Sequence, residues 1–274
     1  MSPRPPDLSS GYELDDATIA AFAANGHCVV RSLATPDEIA HFRAAIDAAT
    51  ETGRDDRRPI EERDTYGRAF IQSMNIHLLD AQVREFVLAE RFAAVAAALL
   101  GCDGVRLYHD QALYKEPGGG HTPWHQDQVY WPLDTDQTIT MWMPLVDVDI
   151  ADGAMVFADG SWTHGDLGGD VIGDGSEEHF AAMVQRHGFA CTDHAPLCAG
   201  DATFHRGWTL HRAPANTSGV MRAVMTVIYF ADGARITEPA SDAQRADLQR
   251  WLDGREPGAV ADGPSNPLLW SARV

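Results

Sequence analysis

Two histidines, an aspartate and three large aromatic side chains crowd into residues 121–132, HTPWHQDQVYWP. His125 and Asp127 are two residues apart, so a locally extended backbone turns both side chains to one face. A neutral imidazole and a carboxylate together suit a divalent transition metal. One more histidine would complete a two-histidine, one-carboxylate triad, which leaves coordination positions open for oxygen chemistry. The pattern alone is weak: His-x-Asp arises easily, and the chain has a second copy, His164-Gly165-Asp166. The competing reading of the stretch is an aromatic-rich surface turn.

A candidate third ligand lies downstream, in AGDATFHRGWTLHRAPANTSGVMRAVMTVIYF. His211 and Arg222 are symmetric about the Asn216–Thr217 junction of a turn-rich segment. In a simple hairpin they would lie opposite each other and share a face. A guanidinium turned into a barrel interior is costly without an anion. A dicarboxylate would supply that anion, through a bidentate pairing that lysine cannot match. Arg222 could otherwise pair with an internal aspartate or face solvent. His109, His121 and His205 have no matching carboxylate and distal partner; His121 and His205 are read as structural or as supporting the ligands from behind, and His109 as packed in a strand next to Asp110.

The elements that must position these residues fall into two blocks. Residues 1–103 read as mostly helical. Asp15-Asp16 open an apolar pattern that ends at Asn25-Gly26, and Thr35 with Pro36 starts a second helix. CVVRSL between them reads as a strand, residues 51–68 as a polar loop, and about 80–89 and 91–100 as helices. From 104 to 231 short runs rich in β-branched and aromatic residues alternate with turn signals, the mark of an antiparallel sandwich or barrel. Residues 164–190 interrupt them as a Gly/Asp-rich, lid-like insertion. A helix over about 241–252 and a tail close the chain (232–274). All 274 residues are expected to form one domain.

Composition narrows the function. The 21 Lys+Arg against 40 Asp+Glu give a formal net charge of −19, which repels phosphate backbones and anionic lipid surfaces. Neither nucleic acid nor membrane is therefore an expected partner, and the sequence sets no oligomeric state. Four scattered cysteines without a Cys-x-x-Cys, an N-terminus without an apolar core and no long apolar run point to a cytoplasmic protein.

With these motifs together, the chain resembles the phytanoyl-CoA dioxygenase family. TPWHQDQVYWP, WMPLVDV, GAMVFADGS, AGDATFHRGWTLHRAPANTS and the later arginine carry the resemblance, which spans about 15–231 and is densest over 108–230. It implies a double-stranded β-helix, or jelly roll, with the N-terminal helices packed on it. It also implies an oxygenase that uses Fe(II), 2-oxoglutarate and O2 to hydroxylate or otherwise oxidise a small molecule, with a specialised metabolite as the expected substrate, releasing succinate and CO2. Carried over residue by residue, His125, Asp127 and His211 become the iron ligands and Arg222 the clamp on the far carboxylate of 2-oxoglutarate. Trp142 packs by the co-substrate, Gln126 stands between two ligands, and Gln111 and Thr140 are further contacts. Many relatives carry a serine two residues after the distal histidine; here that position is Ala213.

Asp127 fills the position that related halogenases leave open for chloride, which favours hydroxylation. Tyr130, Trp131, Trp162, His164 and Trp208 are the candidate substrate contacts, each with ordinary packing as its alternative. Two other functions compete: a non-catalytic β-barrel binding protein, and a cupin-type metal-dependent isomerase or hydrolase. The first needs no triad, and the second leaves Arg222 without a role.

Overall fold

The computed structural model describes residues 6–54, 56–168 and 172–272. The expected polar loop 51–68 and lid 164–190 therefore each include residues outside that description, as do the chain ends. Asp15 caps α1 (Asp16–Asn25) by accepting from the Thr18 amide, and Gly26 ends it with φ 81°. Only glycine suits that left-handed turn, and a Cβ there would fall 2.2 Å from the Trp162 ring. Strand β1 (His27–Val30) follows, then α2 (Pro36–Thr52) behind a Thr35/Glu38 capping box. The stretch expected as a loop contains a short helix, α3 (Thr65–Ala69), and the unforeseen β2 (Ile71–Met74) comes next. Helices α4 (Ala81–Val87) and α5 (Glu90–Leu100) stand where the apolar pattern put them. Arg91 on α5 pairs with Glu38 on α2 at 2.8 Å, which locks the helices together beneath the sheet.

The remaining strands are β3 (Gly104–Tyr114), β4 (Thr122–His125), β5 (Thr138–Pro144), β6 (Val156–Ala158), β7 (Cys191–Asp193), β8 (Ala202–Arg206), β9 (His211–Ala213), β10 (Val224–Ala231) and β11 (Leu268–Ser271). They form two antiparallel sheets. The major one runs β1-β8-β5-β10-β3-β11 with β2 on β3, and the minor one β4-β9-β6-β7. The expected jelly-roll core is thus present, and its major sheet recruits β1, β2 and β11 from outside 104–231. Its outer face packs on α1, α2, α4 and α5 through one large apolar cluster, which includes Phe42, Phe86, Phe92, Met141 and Phe204.

Residues 174–187, expected within a loop, form α6 (Asp174–His187). Phe180 of α6 is buried with Leu167 and Trp124, so the insertion packs on the back of β4. The C-terminal helix α7 (Asp242–Trp251) lies across the other end. No helix among the described residues is long and apolar enough to cross a membrane, and all four cysteines are free thiols.

Candidate active site

Register decides which side chains meet between the sheets. On β3, β10, β5 and β8 the cross-strand rows are His109/Ile228/Thr140/His205 and Gln111/Thr226/Trp142/Thr203. Side chains alternate along a strand, so these rows share one face. Two steps beyond the second row, Lys115 pairs with Arg222. Opposite, His125 pairs with His211 and Thr122 with Ala213 on β4 and β9. The two faces enclose a cavity of about 590 Å³, lined by His125, Asp127, His211 and Arg222 among others.

One ligand atom from each of His125, Asp127 and His211 lies within 4.8 Å of the others. His125 ends β4 and Asp127 opens the 3-10 turn 127–130, while Gln126 between them is extended (φ −120°, ψ 130°). That conformation turns 125 and 127 to one side, as the spacing predicts. Each ring is oriented from behind. Nδ1 of His125 meets the Pro123 carbonyl at 2.8 Å, and Nδ1 of His211 meets the Thr209 carbonyl at 2.9 Å. A carbonyl only accepts, so Nδ1 carries the proton and Nε2 presents its lone pair. Those Nε2 atoms stand 3.5 and 3.8 Å from Oδ1 of Asp127. The other carboxylate oxygen, Oδ2, accepts from His205 Nε2 at 3.1 Å and from the Thr140 hydroxyl at 3.2 Å. Oδ1 is left free for a metal, and second-partner bonds of this kind usually fix such a ligand.

Burial, together with His211 for one ring and His205 for the other, pushes the imidazoles of His125 and His211 down to about 4. Burial alone would raise Asp127, but the surrounding imidazoles hold it well below its ordinary value. All three groups are thus in the metal-binding state at neutral pH. The sign for folding follows: the unfolded histidines take up protons below 6.5 that the folded ones refuse until about 4. The metal-free protein is therefore expected to lose stability progressively as pH falls from 6.5 towards 4, with no contribution from these groups above 6.5. Urea midpoints across that interval check this, and a flat profile would show the rings titrating normally.

The far end of the cavity holds Arg222, which is 2% exposed, with its guanidinium carbon 5.3 Å from the Trp142 ring. Its one protein hydrogen bond goes to the Gly153 carbonyl at 2.6 Å, and Nε has no partner among the described residues. Among the described residues no carboxylate lies within ion-pair distance, and burial pulls the guanidinium down only to about 9, so it stays charged. Lys115 beside it is fully buried; desolvation and the Arg222 charge push its amine down to about 6, leaving one positive charge at this end. The buried hydroxyl oxygen of Thr122, on the cavity wall, is also unpartnered among the described residues. A charged and incompletely bonded end of this kind fits an anion with several acceptors, as an iron-bound dicarboxylate co-substrate requires.

Several expected placements change. His211 and Arg222 are not a hairpin pair: β9 belongs to the minor sheet and β10 to the major one, and they meet across the cavity. Gln126 does not face the cavity; its amide donates to the Gly165 and Trp208 carbonyls and its oxygen accepts from the Leu167 amide, which ties the insertion to the metal-ligand turn. Thr140 and Gln111 line the cavity, yet the Thr140 hydroxyl serves Asp127, and Gln111 accepts from Gln72 at 2.6 Å. Tyr130 and Trp131 line it too, whereas Trp162, His164 and Trp208 do not. Trp162 stacks on Arg206, His164 packs on His187 and Phe189, and Trp208 borders a separate cleft. His205 supports Asp127 from behind, one of the two roles expected for it; Thr122 and Asp247 are cavity residues that residue types and spacing did not single out, since only the register and α7 bring them there.

Comparison with known proteins places the chain in a family. The model of the phytanoyl-CoA dioxygenase (PhyH) family matches residues 22–224. An ectoine dioxygenase of Nocardia farcinica (strain IFM 10152) is 25% identical over 250 residues, 83% of this chain and 81% of that one. A probable alpha-ketoglutarate-dependent hypophosphite dioxygenase of Stutzerimonas stutzeri is 26% identical over 167 residues, 58% of this chain and 57% of that one. Among solved structures, the non-heme alpha-ketoglutarate-dependent carbocyclase SnoK from nogalamycin biosynthesis superposes with a TM-score of 0.77 at 24% identity, covering 97% of this chain and 99% of that one. The epimerase SnoN, solved with Fe3+, alpha-ketoglutarate and nogalamycin RO, gives 0.77 at 24%, covering 93% and 98%. These two likenesses speak for the fold, and the family match speaks for the chemistry. The chain belongs to the phytanoyl-CoA dioxygenase family and is a non-haem Fe(II)- and 2-oxoglutarate-dependent dioxygenase.

Proposed function

We propose that this enzyme oxidises a small organic molecule, by hydroxylation in the first instance, with His125, Asp127 and His211 as the iron ligands and Arg222 as the anchor of 2-oxoglutarate. The observation that carries the reading is the pairing, in one cavity, of a preoriented two-histidine, one-carboxylate set with a buried guanidinium that has no ion-pair partner among the described residues. When bound, iron and 2-oxoglutarate supply the oxidising chemistry: O2 is reduced, the co-substrate becomes succinate and CO2, and one oxygen atom goes to the substrate. The chain's own part is positional. The Pro123 and Thr209 carbonyls hold the two imidazoles in the ligating tautomer, and His205 with Thr140 holds Asp127. Trp142 walls the co-substrate end beside Arg222, and Tyr130, Trp131 and the β3 side chains wall the remainder. A neutral or cationic substrate in the cytoplasm suits the acidic chain, and no polyanionic partner is called for.

A binding protein without turnover would have no use for a buried arginine, without a carboxylate partner among the described residues, opposite three oriented ligands. Anaerobic protein given Fe(II) and 2-oxoglutarate is expected to develop a metal-to-ligand charge-transfer band, and then to form succinate on exposure to O2. Metal binding without either signal would sink the reading.

Thr122 takes the place of the serine absent at 213. Its hydroxyl is buried, unpartnered and on the cavity wall, and its cross-strand partner is Ala213 itself. Directly opposed residues share a face, so either position can offer an oxygen to the same anion. Thr122→Val is expected to weaken 2-oxoglutarate binding about tenfold, the ~1.5 kcal/mol of a hydrogen bond to a charged group. Adding Ala213→Ser should restore it. Titration of the charge-transfer band reads both, and an unchanged affinity in Thr122→Val removes Thr122 from the site.

A further inference from the structure

The cavity is charged at both ends, and the oxygenase reading uses only one of them. Opposite the arginine end, α7 contributes Asp247 and Trp251 to the lining. The helix is fastened to the metal-ligand turn by Gln244, whose amide donates to the Val129 carbonyl at 3.1 Å. Asp247 is half-buried. Its Oδ2 accepts from the Tyr108 hydroxyl at 3.0 Å, and Trp251 supplies a second bond. Both donors are neutral. Among the described residues no lysine, arginine or histidine lies within ion-pair distance of this carboxylate, whereas Asp127 and Arg222 have their tasks at the metal and co-substrate and Arg212 pairs with Glu177 at 3.7 Å. Arg250, on the same helix, acts on it only from a distance. His109, next along the wall, stays neutral, since burial pushes its imidazole down to about 4. Around the carboxylate, Trp251, Tyr130 and Trp131 line the same cavity.

We propose that the α7 end of the cavity is a subsite for a protonated amine carried by the substrate, with Asp247 as its counter-ion and the neighbouring aromatic rings as its walls. The inference rests on the cavity being the substrate chamber of the proposed oxygenase. A carboxylate held in a low-dielectric wall without a cation is costly. Burial raises Asp247 to about 7, which expresses that cost. An ammonium group removes it, and aromatic faces favour the same charge. A neutral hydroxyl would gain only an ordinary hydrogen bond, and a carboxylate would be repelled. The chamber then discriminates by sign: dianionic co-substrate at the Arg222 end, cationic substrate group at the Asp247 end, metal ligands on the wall between the sheets. The chain's acidity, otherwise a matter of solubility, agrees with such a substrate.

The test compares benzylamine, benzyl alcohol and benzoate as probes of anaerobic protein loaded with Fe(II) and 2-oxoglutarate, with binding read by ligand-observed NMR. Benzylamine is expected to bind at least about tenfold more tightly than benzyl alcohol, a charged against a neutral hydrogen bond, and benzoate not measurably. Asp247→Asn keeps the acceptor for Tyr108 and the side-chain shape. It should abolish the preference for the amine while leaving the alcohol and the charge-transfer band unchanged. Equal affinity for amine and alcohol, or no measurable amine binding, overturns the subsite. So does an amine preference that survives Asp247→Asn, since the amine then sits on the metal. The wild-type comparison stands even if the variant folds poorly. A missing charge-transfer band alongside an Asp247-dependent amine preference would defeat the oxygenase reading and leave the subsite standing.

Discussion

Arg222→Met is expected to abolish 2-oxoglutarate binding and, in the same protein, to raise the melting temperature of the unliganded chain. The two effects share a cause. Without a co-substrate the guanidinium is a buried cation with one carbonyl partner and a bare Nε. Apolar replacement of buried charges is commonly worth ~1–4 kcal/mol, and losing the Gly153 bond costs about 1, so a net gain of up to roughly 3 kcal/mol follows. With the co-substrate present the sign reverses. Breaking a buried ion pair typically costs about 3–5 kcal/mol, a loss of affinity of ~100-fold to more than 1,000-fold. Thermal melts with and without 2-oxoglutarate, and titration of the charge-transfer band, measure both. A destabilised variant that still binds 2-oxoglutarate normally would show that Arg222 is a structural residue.

Asp127→Ala is expected to lower Fe(II) affinity by more than the ~10–100-fold usual for residues that merely orient a ligand. It should also remove succinate formation. Asp127 is the only oxygen donor of the set, and its loss leaves His205 and Thr140 without their acceptor. Alanine at His205 should produce the smaller effect, within that range, because its Nε2 touches the carboxylate rather than the metal position. Competition of Fe(II) against a chromophoric chelator ranks the variants. Equal losses for both would place His205 among the ligands, and full succinate production by Asp127→Ala would end the assignment.

Much of the architecture was legible along the chain because its signals are local. Asp15, Thr35-Pro36 and Gly26 marked helix ends through bonds made within a turn of themselves. The long β3, β5 and β10 announced themselves by β-branched and aromatic content. IQSM and LLWS did not, for each is a four-residue strand that exists only because β3 offers it an edge. The insertion 164–190 read as a loop from its glycines, whereas its helix is held by Phe180 against Trp124 and Leu167.

The site divides along the same line. The sequence by itself determined the candidate metal half: an extended residue 126 turns His125 and Asp127 to one side, a local property of the backbone, and His211 with Arg222 completed a set of recognisable chemistry. How those last two meet was not local. Asn216 donates to the Lys115 and Val220 carbonyls, so the chain crosses from one sheet to the other where symmetry suggested a hairpin. The tertiary structure alone set Thr122 against Ala213, took Trp162, His164 and Trp208 away from the cavity, and brought Asp247 to its open end. Contacts of that kind depend on the register of strands far apart in the chain and on where a terminal helix docks. One residue of slip in β4 or β9 would turn Thr122 or Ala213 to the other face.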